Sequence, residues 1–150
     1  MTDVSIRAAV RGDIPAIVAM LADDELGATR ETPDDLAPYE SAFERLRSDS
    51  SQLLMVAERD GIVVGTLQLT IIAGLSRRGS TRSVIEAVRV HSSQRGQGLG
   101  ARLIQWAIDE SRRQGCHLVQ LTSDKRRPDA HRFYERLGFT PSHIGFKLQL

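Results

Sequence analysis

The run Gln94-Arg95-Gly96-Gln97-Gly98-Leu99-Gly100 joins a short apolar strand, residues 84–90, to an amphipathic helix. Three glycines at every second position strip side chains from the turn and let its backbone N–H groups converge. They converge where a helix begins, and there unsatisfied N–H groups and the helix dipole both favour an anion. Arg95 either adds a cation to that site or is a solvated turn residue. The candidate holders of a diphosphate are therefore Arg95, Gly96, Gln97, Gly98, Leu99 and Gly100. The helix that must position them is well supported, because Leu99, Leu103, Trp106 and Ala107 recur at helical spacing.

One ionisable group stands out on the preceding strand. Strict alternation puts Glu86 on one side with Val84, Val88 and Val90, a carboxylate among valines. An apolar setting penalises the charged form and suits a general base. A bulge in this strand would change where Glu86 points, and an ion pair with Arg82 or Arg89 is the plainer alternative.

Two other phosphate-binding patterns fit less well. No Gly-Lys-Ser/Thr follows the glycines, so a nucleoside triphosphate loop is excluded. Asp124 lies where a ribose-binding carboxylate could sit, but the spacing is Gly-x-Gly-x-Gly. Only fifty residues follow Gly100, too few for a dinucleotide-binding sheet.

Downstream, residues 128–139 read Pro-Asp-Ala-His-Arg-Phe-Tyr-Glu-Arg-Leu-Gly-Phe. Periodicity alone places Tyr134 in an apolar stripe with Ala130, Phe133 and Leu137, as an ordinary core aromatic. Together with the glycine loop, however, this stretch resembles the GNAT superfamily of acetyl-CoA-dependent N-acetyltransferases. The matching positions are Ala130, Phe133, Tyr134, Gly138 and Phe139, and the strongest matches span 84–139. The family often has asparagine seven residues before the tyrosine, where this chain has Arg127.

The resemblance implies a mixed α/β fold: a mostly antiparallel twisted sheet of six or seven strands with about four flanking helices. It implies acetyl-CoA as cosubstrate and a small-molecule primary amine as acceptor. Catalysis would be direct attack, with Glu86 as base and Tyr134 as acid. The backbones of Val88 and Val90 would pair with the pantetheine arm, and the assembly would be a homodimer. A protein or peptide amine is an alternative acceptor. A coenzyme-A-binding regulatory or interaction module without turnover is the reading from another class. Asp-Ala-His-Arg-Phe-Tyr and Ser142-His143-Ile144-Gly145-Phe146 are also similar to aminoalkylphosphonate N-acetyltransferases. That similarity hints at an acidic or zwitterionic amine, whose acid group Arg77, Arg78 or Arg82 could meet.

Bulk properties are consistent with this and narrow the partners. The 150 residues suit one domain, 1–150, with a full core. A net charge of +1 with interspersed signs gives no case for nucleic acid or membrane binding. The lone Cys116 excludes an internal disulfide and opens an apolar run, as an inert thiol does. His131 and His143 lack a compact set of partners, so no metal is expected. Residues 1–5 lack a signal-peptide pattern, so a soluble cytoplasmic protein is expected.

The pattern predicts strands at 4–9, 53–57, 62–72, 84–90, 117–122 and 144–150. Asp60-Gly61 marks a hairpin. Helices are expected from Asp13 as N-cap, along Leu36, Tyr39, Phe43 and Leu46, at 99–109 and at 128–137. Residues 23–33 and 76–83 read as loops, and the acidic run Asp23-Asp24-Glu25 as a solvated helix end or an attractor for an amine.

Overall fold

The computed structural model describes residues 3–150, so Met1 and Thr2, at the start of the stretch read for a signal peptide, lie outside the described residues. In chain order the elements are β1 (Ser5–Ala8), α1 (Ile14–Ala22), α2 (Gly27–Arg30), α3 (Ala37–Arg47), β2 (Gln52–Arg59) and β3 (Ile62–Ile72). They continue with α4 (Ser76–Gly79), β4 (Thr81–Val90), α5 (Leu99–Arg113), β5 (Cys116–Leu121) and α6 (Pro128–Arg136). The chain folds as two compact units, one reaching to Gln120 and a second from Leu121 to Leu150.

The sheet order is β1-β2-β3-β4-β5, and the first three pairings are antiparallel. This is the expected mixed α/β architecture, with five strands among the described residues rather than six or seven. The missing strand is the predicted closing one, because residues 140–150 have no regular secondary structure. Ile144, Phe146, Leu148 and Leu150 do alternate, yet all four are exposed. Alternation makes a segment able to pair, but a strand also needs a neighbour to take its backbone hydrogen bonds.

The long hairpin follows from its turn. Asp60 and Gly61 both have left-handed φ, 53° and 77°, which the tight turn between antiparallel strands requires. Cross-strand partners then share a face, so Met55 and Leu67 lie on one side and Val56 and Thr66 on the other. On the first side Leu67, Leu69 and Ile85 are buried, as are Leu103, Ile104 and Ala107 of α5. A Cβ on Gly65 would lie 3.0 Å from Leu103 Cδ1, so the glycine is what lets α5 approach β3 this closely. Ser83 on β4 and Ser111 on α5 are buried and share a hydrogen bond of 2.7 Å. A separate cluster forms where Ile14, Val18 and Phe43 bury against Leu36, Tyr39 and Leu54.

The predicted loops hold more structure than their composition suggests. Residues 27–30 form a helical turn, and Asp24 accepts the Gly27 N–H at its start. Between β3 and β4, Arg77, Arg78 and Gly79 all have left-handed φ, of 54°, 63° and 70°. Two hydrogen bonds close this turn, Gly79 N–H to Leu75 O and Ser80 N–H to Ser76 O. For the two arginines the conformation costs about 1–2 kcal/mol each.

Asp13 stands before α1 as expected, but its carboxylate does not cap that helix. It accepts the Val10 N–H at 2.8 Å and two hydrogen bonds from Arg7, at 2.8 and 3.0 Å. Arg7 also reaches Glu58 on β2, so one buried carboxylate ties β1, β2 and the start of α1 together. The Arg7 hydrogen bonds hold the Asp13 acid below its ordinary range. A lowered acid favours the folded state above its unfolded value of about 4 and loses that contribution as pH falls through the folded one. Asp13→Asn should therefore unfold at lower denaturant than the parent at pH 7, with a gap that narrows below about pH 4. A gap independent of pH in paired denaturation curves would assign Asp13 no electrostatic part.

Candidate active site

The candidate residues of β4 are rearranged by a bulge. Glu86 is opposite Gln68 and Arg89 is opposite Thr66, so Ala87 and Val88 together face the single residue Leu67. Ala87 takes up the extra residue with a φ of 55°. Pairing partners share a face, so Glu86 and Arg89 lie on the side of Thr66 and Gln68. Val90, opposite Gly65, lies on the other side with Leu67. Glu86 is thus not aligned with Val88 and Val90, and it is solvent-exposed rather than set among valines. Alternation holds from Val84 through Glu86 and fails at the bulge that follows, which restarts the count.

Arg89, expected as a partner of Glu86 if the strand were merely structural, instead approaches Asp24 at 3.4 Å from a largely buried position. Its Nη1 also donates to the Val88 carbonyl at 2.9 Å. Asp23 pairs in the same way with Arg95, at 3.5 Å between exposed side chains. The acidic run after α1 is therefore neither freely solvated nor an isolated lure for an amine. It ties the α1–α2 connection to β4 and to the glycine loop.

Beyond Val90 the chain makes a short 3₁₀ turn, Ser92–Gln94, capped by His91 Nδ1, which accepts the Ser93 N–H at 3.1 Å. Gly96 and Gly98 follow with φ of 77° and 79°, and a Cβ at either would meet nothing within 4 Å. The loop is exposed from Arg95 to Gly98, while Leu99 is buried under the sheet as the anchor of α5. Gly98 stands at the N-cap of α5 and no side chain caps the helix. An uncapped helix start beneath an open loop that lacks a Cβ at Gly96 and Gly98 suits a diphosphate, whose oxygens accept N–H donors.

Arg59 is a participant that sequence reading missed. From the end of β2 its guanidinium donates to Gln94 Oε1, and to Gln97 Oε1 at 3.1 Å. Arg59 belongs to a hairpin turn, and its reach to a loop some 35 residues later had no local signal.

In the second unit, Tyr134 is half-buried on α6. Its ring meets Phe133 edge-on at 5.2 Å between centroids and Phe139 at 6.0 Å. Those contacts pack the ring of Tyr134 against its two aromatic neighbours within the second unit. Pro128 begins α6, and Arg127, seven residues before Tyr134, takes the N-cap position without a side-chain cap. His131 Nε2 donates to the Asp124 carbonyl at 2.8 Å, a local role that fixes the helix start. Arg126 hydrogen bonds hold the Asp124 acid far below the ordinary carboxylate range. Among the described residues no group of three or more His, Cys, Asp or Glu is placed to hold a metal. Cys116 is half-buried, and burial pushes its thiol up.

Known proteins resemble this chain in sequence and in fold. The acetyltransferase (GNAT) family profile matches residues 16–139. An aminoalkylphosphonate N-acetyltransferase of Salmonella typhimurium is 34% identical over 112 residues, 75% of this chain and 72% of the relative. An L-methionine sulfoximine/L-methionine sulfone acetyltransferase of Pseudomonas aeruginosa is 31% identical over 139 residues, 90% of this chain and 79% of the relative. Among solved structures, one from Bacillus halodurans described as a transcriptional regulator superposes with a TM-score of 0.95 at 47% identity, over 99% of this chain and 100% of that one. With a family match over most of its length and relatives above 30% identity, the chain belongs to the acetyltransferase (GNAT) family.

Proposed function

We propose that this protein is a single-domain N-acetyltransferase that moves the acetyl group of acetyl-CoA to the primary amine of a small, acidic or zwitterionic molecule. The observation that carries this reading is the open, uncapped loop from Arg95 to Gly98, continuous with the bulged strand that bears Glu86. Acetyl-CoA supplies an acetyl group activated as a thioester. The N–H groups of Gly96, Gln97, Gly98 and Gly100 hold its diphosphate, with Arg95 and Leu99 completing the loop. The backbones of Val88 and Val90 pair with its amide-bearing arm.

An alkyl ammonium with a pKa of about 10 is almost wholly protonated at neutral pH, so the nucleophile must first lose a proton. Exposed on the Thr66–Gln68 face, the Glu86 carboxylate accepts it, directly or through water. A bond forms from the amine nitrogen to the carbonyl carbon while the bond from that carbon to sulfur breaks. The Tyr134 hydroxyl then gives the thiolate its proton, so that a free thiol leaves. Support for the substrate class comes from the two relatives, whose named acceptors carry an amine beside an acid group. A homodimer is the assembly the family resemblance implies.

Initial rates of acetyl-CoA-dependent thiol release test the acceptor class. Aminoalkylphosphonates and amino-acid sulfoximines should give a kcat/KM well above polyamines, aminoglycosides and lysine peptides. The reverse order would discard the acidic acceptor while keeping the transferase. The description of the 47% identical structure as a transcriptional regulator favours, as a second reading, a coenzyme-A-binding module without turnover. Tyr134→Phe separates the roles of ring and hydroxyl, because it keeps the aromatic contacts. It should lower kcat by about a hundredfold and leave coenzyme A affinity within a few-fold. Equal losses in both would make Tyr134 structural only.

A further inference from the structure

The left-handed turn at Arg77-Arg78-Gly79 has no part in the chemistry above. Gly79 accepts a positive φ freely, but two arginines do so only at a steric cost, and strain of this kind clusters at functional sites. The turn presents both exposed guanidiniums over a cleft that Ser80, His117 and Leu118 also line. Neither guanidinium has an ion-pair or hydrogen-bond partner among the described residues, in contrast to the paired Arg7, Arg11, Arg89 and Arg95. Among the described residues no carboxylate lines the cleft. Two forked cations, an imidazole and a hydroxyl around one depression match the hydrogen-bonding needs of an oxyanion.

The position separates this cleft from the glycine loop. It lies at the start of β4, and Val90 at the other end of that strand is about 30 Å away at roughly 3.3 Å per residue. The diphosphate cradle therefore does not extend to it. We propose that the cleft is a second anion site that binds a compact oxyanion (a phosphate, phosphonate or carboxylate) through Arg77, Arg78, Ser80 and His117. The site stands whether or not the chain turns over an amine.

The test titrates inorganic phosphate into the full chain at constant ionic strength, with chloride as the balancing anion. The His117 Cε1–H resonance, assigned with His117→Gln, reports the site directly. The resonance should shift saturably, and Arg77→Gln/Arg78→Gln should weaken phosphate binding at least tenfold while coenzyme A affinity stays unchanged. Ser80→Glu, which puts a carboxylate in the cleft, gives the same loss through a second route if the double variant does not fold. Phosphate that competes with an acidic amine acceptor would identify the oxyanion as the acceptor's own acid group. Non-competitive phosphate would identify a free oxyanion ligand, and both results support the site. A response that never saturates, or that is the same in the variants, would overturn it.

Discussion

Glu86→Gln lowers kcat at neutral pH by about a hundredfold or more, within the range that a positioned base contributes. The replacement keeps size and hydrogen-bonding capacity, and Glu86 is exposed, so the fold and coenzyme affinity should survive. The diagnostic is the pH dependence of the deficit. Near pH 10 about half of an alkyl amine is already neutral, and a base has less to do. The gap between parent and variant should therefore shrink as pH rises from 7 to 10 in steady-state assays. A gap that stays constant over that range would show that Glu86 acts through structure, and a different base would have to be sought on the same face.

Gly98→Glu weakens coenzyme A binding by about a hundredfold, since a carboxylate among the loop N–H groups repels a diphosphate at short range. The residue has a φ of 79° and its Cβ would meet nothing within 4 Å, so the side chain projects into open space. Strain and charge are separable here. Asparagine tolerates the left-handed region and is neutral, so Gly98→Asn should bind coenzyme A within a few-fold of the parent. Calorimetry on both variants gives the comparison. Equal losses would attribute the effect to backbone strain, and no loss in either would remove the loop from the binding site.

The parts of the fold set by local chemistry were readable in advance. Asp60-Gly61 announced its hairpin, and Leu99, Leu103 and Ala107 announced the buried face of α5. The glycine loop was legible for the same reason, since its conformation follows from residues missing a Cβ. What escaped reading depends on partners far along the chain. The bulge at Ala87 is a mismatch between β3 and β4, and no residue of β4 alone announces it. It matters most, because it moves Glu86 off the line of Val88 and Val90.

Other surprises have the same origin. Thr81, Arg82 and Ser83 looked like loop, yet they lengthen β4, and Ser83 is buried because Ser111 of α5 takes its hydroxyl. Asp13 had the position of a helix cap, but Arg7 and the Val10 N–H claimed its carboxylate first. At the C-terminal end the pattern of Ile144, Phe146 and Leu148 was correct as a pattern and did not become a strand. The left-handed turn at Arg77-Arg78 had no signal, since nothing in their type favours a positive φ.

The most direct measurement of the central claim follows the acetyl carbon itself. The protein is incubated with acetyl-CoA labelled with carbon-13 in the carbonyl and with an aminoalkylphosphonate, and the products are read by NMR. The account predicts a new amide carbonyl resonance on the acceptor, formed in step with free coenzyme A thiol and abolished by Tyr134→Phe with Glu86→Gln. Coenzyme A that binds at the loop while the label stays in the thioester, across acidic, neutral and peptide amines alike, would contradict it and leave a binding module in its place.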